Sequence, residues 1–435
     1  MRLYNLWIVI LVVGLISGPA YATNKKLGSY TVIHAGELLT VPGKKPLKKH
    51  SIIIKDNVIE AVKAGFVAPK DIAANASVID LSDRFVMPGL MDMHVHLQME
   101  LGPHNIEDTV KLSNADIGMH SVYYAKQTLL AGFTTVRDLL SRPQEMYALR
   151  DGVNKGWIDG PRIIAAAGIA ITGGHLDADG MAHDVLAMKS PKTICDGPFE
   201  CRKMTRHAIK YGADAIKVAS TGGVLSDTDT GTGQQMTDNE LKEIVDTAHA
   251  LGRKVASHAH ATAGINAALR AGVDSVEHGS YADEETIKLF KQTGAYLVPT
   301  LLAGATVVDM AKNSDFMSAP VKAKAIRVGP DMLENFARSY KAGVKIAFGT
   351  DSGVSLHGIN AQEAVLMHQA GMPAAEILKS ATVNAADLIG MSDKLGTITP
   401  GKYADIIAVE ISPLEDIASL LNVGFVMKDG KVYKQ

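Results

Sequence analysis

The sequence predicts an α/β protein: a (β/α)8 (TIM) barrel joined to a small β-sandwich that both chain ends build. Three observations carry this. The middle of the chain alternates short apolar segments with longer amphipathic stretches, the pattern of a parallel sheet covered by helices. Eight such units follow one another, which favours a closed barrel over an open doubly wound sheet, and no Gly-x-Gly-x-x-Gly motif opens the first unit as a dinucleotide fold would require. The two ends differ from this middle, being short β-rich runs separated by turn residues. At 435 residues, the chain suits one large barrel plus a minor domain.

The elements follow in chain order. Met1 and Arg2 give a positive start, Leu6 to Gly18 is an apolar run, and Ala20-Tyr21-Ala22 is the small-x-small pattern that signal peptidase reads. Residues 1–22 are therefore expected to be a signal peptide, and the mature protein to be secreted, in the periplasm. The apolar run falls short of the about 20 residues of a membrane span, and nothing comparable follows, so no stable membrane insertion is expected after cleavage. Residues 29–85 and 399–435 are assigned to the sandwich. In them Tyr30–Ile33, Ser51–Ile54 and Val58-Ile59 read as strands, with a turn at Lys55-Asp56-Asn57; 404–409 and 424–427 read as strands, with a hairpin turn at Lys428-Asp429-Gly430-Lys431 before Val432-Tyr433. Residues 86–398 are assigned to the barrel, with strands at 86–95, 134–139, 162–169, 215–219, 254–259, 274–278, 295–300 and 345–350.

Composition narrows the function. With 47% hydrophobic residues a large core is feasible, and a net charge of -2 with dispersed charges excludes a nucleic-acid partner, which needs a concentrated basic surface. Cys195 and Cys201 lie in Cys-Asp-Gly-Pro-Phe-Glu-Cys. In an oxidising compartment they could form a small-loop disulfide; the alternative is two free thiols packed at a helix start. A structural zinc site would need four ligands.

The residues with chemistry to offer fall at the ends of the proposed barrel strands, where barrel enzymes keep their active sites. The first strand ends Asp92-Met93-His94-Val95-His96, and alternation puts both imidazoles on one face, roughly 6–7 Å apart. Lys217 sits inside the apolar fourth strand, where a buried ammonium is costly unless paired or neutralised. It either snorkels out of the strand end or takes up CO₂ as a carbamate, an anionic ligand able to bridge two metals. The fifth strand ends His258-Ala259-His260, the sixth ends in His278, and the eighth reaches Asp351. One terminal histidine is ordinarily a satisfied polar residue; five coincidences at the same end of one barrel point to a metal centre. Its charge count is workable: two dications offset by a carbamate, an aspartate and a bridging hydroxide leave a positive field for an oxyanion.

These segments resemble the amidohydrolase superfamily, and within it the imidazolonepropionase-related group that includes Xaa-Pro dipeptidases and ochratoxin-hydrolysing enzymes. The resemblance rests on Pro88 through His96, Gly132-Phe133-Thr134-Thr135-Val136-Arg137-Asp138, Lys217 followed by Thr221-Gly222-Gly223-Val224, the His258 and His278 segments, Gly349-Thr350-Asp351, and Thr399-Pro400-Gly401-Lys402-Tyr403-Ala404-Asp405. It implies that His94, His96 and Asp351 hold the more buried metal and His258 and His278 the more exposed one, with carboxylated Lys217 between them. Asp351 would also act as general base and then acid. His260 is a candidate for polarising the substrate carbonyl or orienting a ligand. His175, after Gly173-Gly174, is a candidate for substrate binding, against a loop histidine in water. Arg137 could pair with a substrate carboxylate, or with Asp138 or a neighbouring loop.

The resulting expectation is a binuclear metallohydrolase that cleaves an amide bond of a dipeptide, a short peptide C-terminus or an N-acyl amino acid by a metal-bridging hydroxide. Zinc suits the His-rich, oxygen-bridged set; manganese, cobalt or iron also fit. The alternatives are a cyclic amide or lactone hydrolase and a non-catalytic solute-binding barrel. A small-molecule substrate and a homo-oligomer are expected.

Overall fold

The computed structural model describes residues 28–227 and 232–435; the expected signal peptide, 1–22, lies outside the described residues. Among the described residues no helix is long and apolar enough to cross a membrane. The strands in chain order are β1 (Tyr30–Leu38), β2 (Leu47–Lys55), β3 (Val58–Ala64), β4 (Ser77–Pro88), β5 (Leu90–Val95), β6 (Phe133–Asp138), β7 (Arg162–Gly168), β8 (Ala215–Ala219), β9 (Lys254–Ala259), β10 (Ser275–His278), β11 (Tyr296–Val298), β12 (Lys345–Ile346), β13 (Ile406–Val409), β14 (Phe425–Lys428) and β15 (Lys431–Lys434).

They form two sheets. β5 to β12 make an eight-stranded parallel sheet in sequential order. The sheet curls until its edges meet. Past Ile346 the last strand loses regular pairing, but Met93 N donates to Phe348 O (2.8 Å), Asp351 N to His94 O and His96 N to Ser352 O (both 2.7 Å). This is consistent with the expected barrel. Within β8 the pleat sorts the side chains: Ile216 and Val218 join the apolar layer with Leu241 and Ile244 of the helix Asp238–Ala250, while Lys217 lines a cavity on the other face.

The second sheet is mixed, with order β15-β14-β13-β4-β1-β2-β3, so both chain ends contribute as expected. It is one continuous sheet rather than two, folded back so that Ile59 N donates to Lys402 O (2.8 Å) and Ala404 N to Asn57 O (2.9 Å). Ile33, Ile52, Ile54, Ile59, Ile406 and Phe425 fill the fold, each at most 2% exposed. The largest departure from expectation is β4, which the sequence reading did not single out and which runs to Pro88. Residues 86–88, expected in the first barrel strand, therefore pair with β1 and β13. Gly89 makes the handover: a Cβ there would stand 2.3 Å from Thr134 Oγ1, so only glycine fits between the sheets. Arg162, at the start of β7, bonds Asp405 (2.6 Å) and Asp429 and lies over the Tyr403 ring, tying the sheets together.

Cys195 and Cys201 are disulfide-bonded. Cys195 N donates to Ala170 O (2.8 Å), so the link anchors the segment beyond β7 to the start of the helix Pro198–Lys210.

Candidate metal centre

The six side chains expected to converge do so, at the end of the parallel sheet where β5, β8, β9 and β10 stop. They line one cavity of about 240 Å³ together with His175 and His260. His94, His96 and Asp351 form one donor group and His258, His260 and His278 another; within each, the donor atoms lie within 4.8 Å of one another. The groups adjoin, the His94 and His278 rings being 5.3 Å apart.

The hydrogen bonds around the histidines assign their protons. His94 Nδ1 lies 3.0 Å from Glu277 Oε2, an acceptor, so Nδ1 carries the hydrogen and Nε2 presents a lone pair. His96 Nδ1 faces the Leu140 carbonyl at 3.2 Å, with the same result. Thr300 Oγ1 gives its hydrogen to Pro299 O (2.7 Å) and must accept from His278 Nδ1 (2.7 Å), again freeing Nε2. His258 Nε2 faces the Gly222 carbonyl at 3.3 Å, which leaves Nδ1 as its lone pair. The His94 and His96 Nε2 atoms both face Asp351 Oδ1, at 3.4 and 2.8 Å; burial would lower the His96 imidazole, but the carboxylate raises it. A shared cation, or a proton on His96 Nε2, satisfies this pair. The set thus fits a divalent ion, with each imidazole oriented from behind.

Electrostatics agree. Burial pushes the His94 and His260 imidazoles down to about 4 and His175 to about 3, and holds His258 and His278 well below the usual imidazole value, so all five are neutral near pH 7. Burial would raise the Asp351 carboxyl, but the adjacent His94, His96 and His278 outweigh it and hold the group well below the usual carboxylate range. Lys217 is 3% exposed. Burial brings its ammonium down to about 8, against the pull of Glu277 and Asp351. An appreciable neutral fraction at pH 7–8 is what carbamate formation needs.

His278 (φ 69°), Thr300 (φ 52°) and Asp351 (φ 59°) occupy the left-handed region that side-chain-bearing residues rarely enter. Each ends or follows a strand and turns its side chain inward, strain of the kind that collects at working sites.

His175 and His260 take defined positions. His175 Nδ1 bonds Ser226 Oγ (2.6 Å), and its ring lies 4.1 Å from that of His258. This is possible because Gly223 has no Cβ, which would sit 2.0 Å from the His175 ring. His260 Nδ1 bonds Ser280 Oγ (2.7 Å), and its ring stacks on His278 at 4.9 Å. His175 is therefore not a loop histidine in water.

Arg137 is the correction. It does not line the cavity. Its guanidinium is 1% exposed and is spent on Met93 O (2.7 Å), Ser275 Oγ (3.1 Å) and Glu277 Oε1 (3.0 Å). Asp138, the pairing also considered, instead accepts from Leu97 N (2.8 Å). Arg137 fails as a carboxylate ligand because β6 projects it into the sheet's interior, where only a buried partner can neutralise it. That partner, Glu277, is the residue sequence reasoning missed: a fully buried carboxylate between Arg137 and His94. The signal was weak, since Ser275-Val276-Glu277-His278 is a polar segment in which a glutamate does not stand out as Lys217 does in its apolar strand. Ser226, Ser280 and Thr300 carried none, because each meets its histidine only through the fold.

Comparison with known proteins gives the same picture. The amidohydrolase family model matches residues 85–433. Ochratoxinase from Aspergillus niger is 33% identical over 425 residues, covering 93% of this chain and 86% of that protein. The crystal structure of a Xaa-Pro dipeptidase with bound methionine in its active site superposes with a TM-score of 0.88 at 41% identity, over 93% of this chain and all of the other. Imidazolonepropionase from Geobacillus kaustophilus is 25% identical over 399 residues, 83% of this chain and 86% of that protein.

Proposed function

The chain belongs to the amidohydrolase family, and we propose that it is a binuclear metal-dependent hydrolase cleaving the amide bond of a dipeptide, a short peptide C-terminus or an N-acyl amino acid. The observation that carries this is the convergence of the His94 and His96 ring nitrogens on Asp351 Oδ1, with a second histidine group beside it. The names of the relatives, an ochratoxinase and a Xaa-Pro dipeptidase, support an amide as the bond attacked.

In this reading His94, His96 and Asp351 would hold one divalent ion and His258 and His278 the other, and Lys217, once carboxylated, would supply an anionic ligand to both; zinc suits the donors best. When bound, the ions supply Lewis-acid polarisation and make water acidic enough to ionise near neutral pH. The protein does the rest. Asp351 takes the proton as water adds to the carbonyl carbon, then delivers it to the amine nitrogen as the C–N bond breaks, giving a carboxylic acid and a free amine. His260, held by Ser280, turns toward the substrate carbonyl, and His175, held by Ser226, borders the same space. The Cys195–Cys201 disulfide supports a secreted, periplasmic setting, since such bonds persist in oxidising compartments.

The test is turnover of a dipeptide and N-acyl amino acid library by metal-loaded protein, with metal content measured in parallel. Cleavage of any member supports the reading. Full metal occupancy without cleavage of any member overturns it, and turnover of a cyclic amide alone would move the assignment to that chemistry.

A further inference from the structure

The cavity has two unlike halves. Its floor holds the histidines, Lys217 and Asp351; its remaining walls are made of aliphatic and thioether side chains from several loops and from two helices, Leu301–Asn313 and Ala319–Lys341. Leu140 and Leu176 come from the loops after β6 and β7, Leu225 from the loop after β8, Val307 from the first helix and Met332 from the second. Among the described lining residues, Asp351 and Lys217 are the only ionisable groups besides the histidines, and both are engaged in the centre. Lys324 is not a lining residue; its Nζ donates to Gly223 O (3.1 Å) and Ser226 O (2.5 Å).

We propose that the substrate group flanking the scissile bond in this cavity is an uncharged, bulky apolar side chain, aliphatic, thioether or aromatic, and that Gly304 and Met332 set its size. The inference rests on the amide-hydrolase reading of the same site and specifies its substrate class. A charged side chain entering the cavity would lose its water and meet no counter-charge among the described lining residues outside the proposed metal centre, a cost of at least about a hundredfold in kcat/KM. An apolar one gains about fourfold per buried methylene. Gly304 faces the cavity from the first helix, and a Cβ there would stand 2.9 Å from Met332 Sδ. The absent side chain is what lets the Met332 thioether lie against the helix backbone. A larger residue at 304 must displace it and take up room.

The experiment uses the metal-loaded full chain and two matched dipeptide series, X-Gly and Gly-X, with X as Ala, Leu, Met, Phe, Asp and Lys. In at least one series kcat/KM should climb from Ala to Leu and Met, with Asp and Lys at least about a hundredfold below Met. Calorimetric binding of free methionine, phenylalanine, lysine and aspartate is measured alongside, so that a chain cleaving no dipeptide is still judged on affinity. Failure of all turnover with selective binding of the apolar amino acids would sink the hydrolase reading but keep this one. Charged members cleaved or bound within threefold of Met in both series would overturn it. Gly304→Val should selectively depress the Phe and Met members, and Met332→Ala, which only removes bulk, should raise Phe relative to Leu. Unchanged Phe/Leu ratios in a folded Met332→Ala would refute the role given to that wall.

Discussion

The Arg137–Glu277 pair behind His94 allows a quantitative test. The guanidinium and carboxylate lie 3.0 Å apart, with side chains 1% and 0% exposed, so neither can be rescued by water if the other is lost. Truncating one partner leaves a bare buried charge, at a cost of about 3–5 kcal/mol. Linkage gives a separate figure. Burial would raise the Glu277 carboxyl, but Arg137, then His94, overcome it and bring the group from 4.5 to about 2, worth about 3 kcal/mol. A carboxylate whose folded value is depressed stabilises fully above its unfolded value. This contribution is therefore intact above about pH 4.5 and fades as the pH falls toward 2. Glu277→Ala, Arg137→Met and the double variant should be unfolded in urea at pH 7 and followed by circular dichroism. Each single change should cost about 3–5 kcal/mol, and the double about 2 kcal/mol or more less than their sum. Additivity within about 0.5 kcal/mol would refute the reasoning. Glu277→Ala also removes the acceptor that keeps the His94 hydrogen on Nδ1, so metal affinity measured on the same protein should fall about 10- to 100-fold.

Lys217→Ala should lower bound metal and activity together, read by elemental analysis and turnover; full metal content in that variant would exclude the lysine as a ligand. Arg162→Ala removes the bonds to Asp405 and Asp429 across the two sheets and should cost about 2 kcal/mol in urea unfolding, since Arg162 and Asp405 are mostly shielded while Asp429 stays open to water. Cys195→Ser with Cys201→Ser opens a small loop and should lower stability by about 2 kcal/mol under oxidising conditions. Under reducing conditions the same double change should make no difference, and a persistent gap would show that the thiols themselves matter.

Much of the candidate centre could be read from the chain because histidines and a lysine at strand ends carry a local signature. His94 and His96 share a face by strand alternation, and Lys217 is conspicuous in an apolar run. Their second partners were not legible: Ser226 reaches His175 across 51 residues and Thr300 reaches His278 across 22, and serine or threonine in a loop is unremarkable until the fold brings it in. Arg137 was misread for the same reason. Its place at a strand end suggested the cavity, whereas only β10, which does not pair with β6 but brings Glu277 opposite it, decides which way a buried guanidinium is satisfied. In the fold, β4 escaped notice because its exposed polar half and buried apolar half, Ser77–Pro88, serve one long strand that outlasts any single pattern. The eighth barrel strand was expected to 350 but is regular only over Lys345–Ile346; the left-handed backbone at Asp351 bends the chain out of a ladder to aim its carboxylate.

The strand order of the folded terminal sheet bears on how the molecule is made. β4 lies between β1, which precedes it in the chain, and β13, which is made only after the whole parallel sheet. Until then Phe85–Pro88 present an unsatisfied edge, a template for pairing with another chain. A product clipped or stopped before Ile406 would keep every candidate metal donor and still expose that edge.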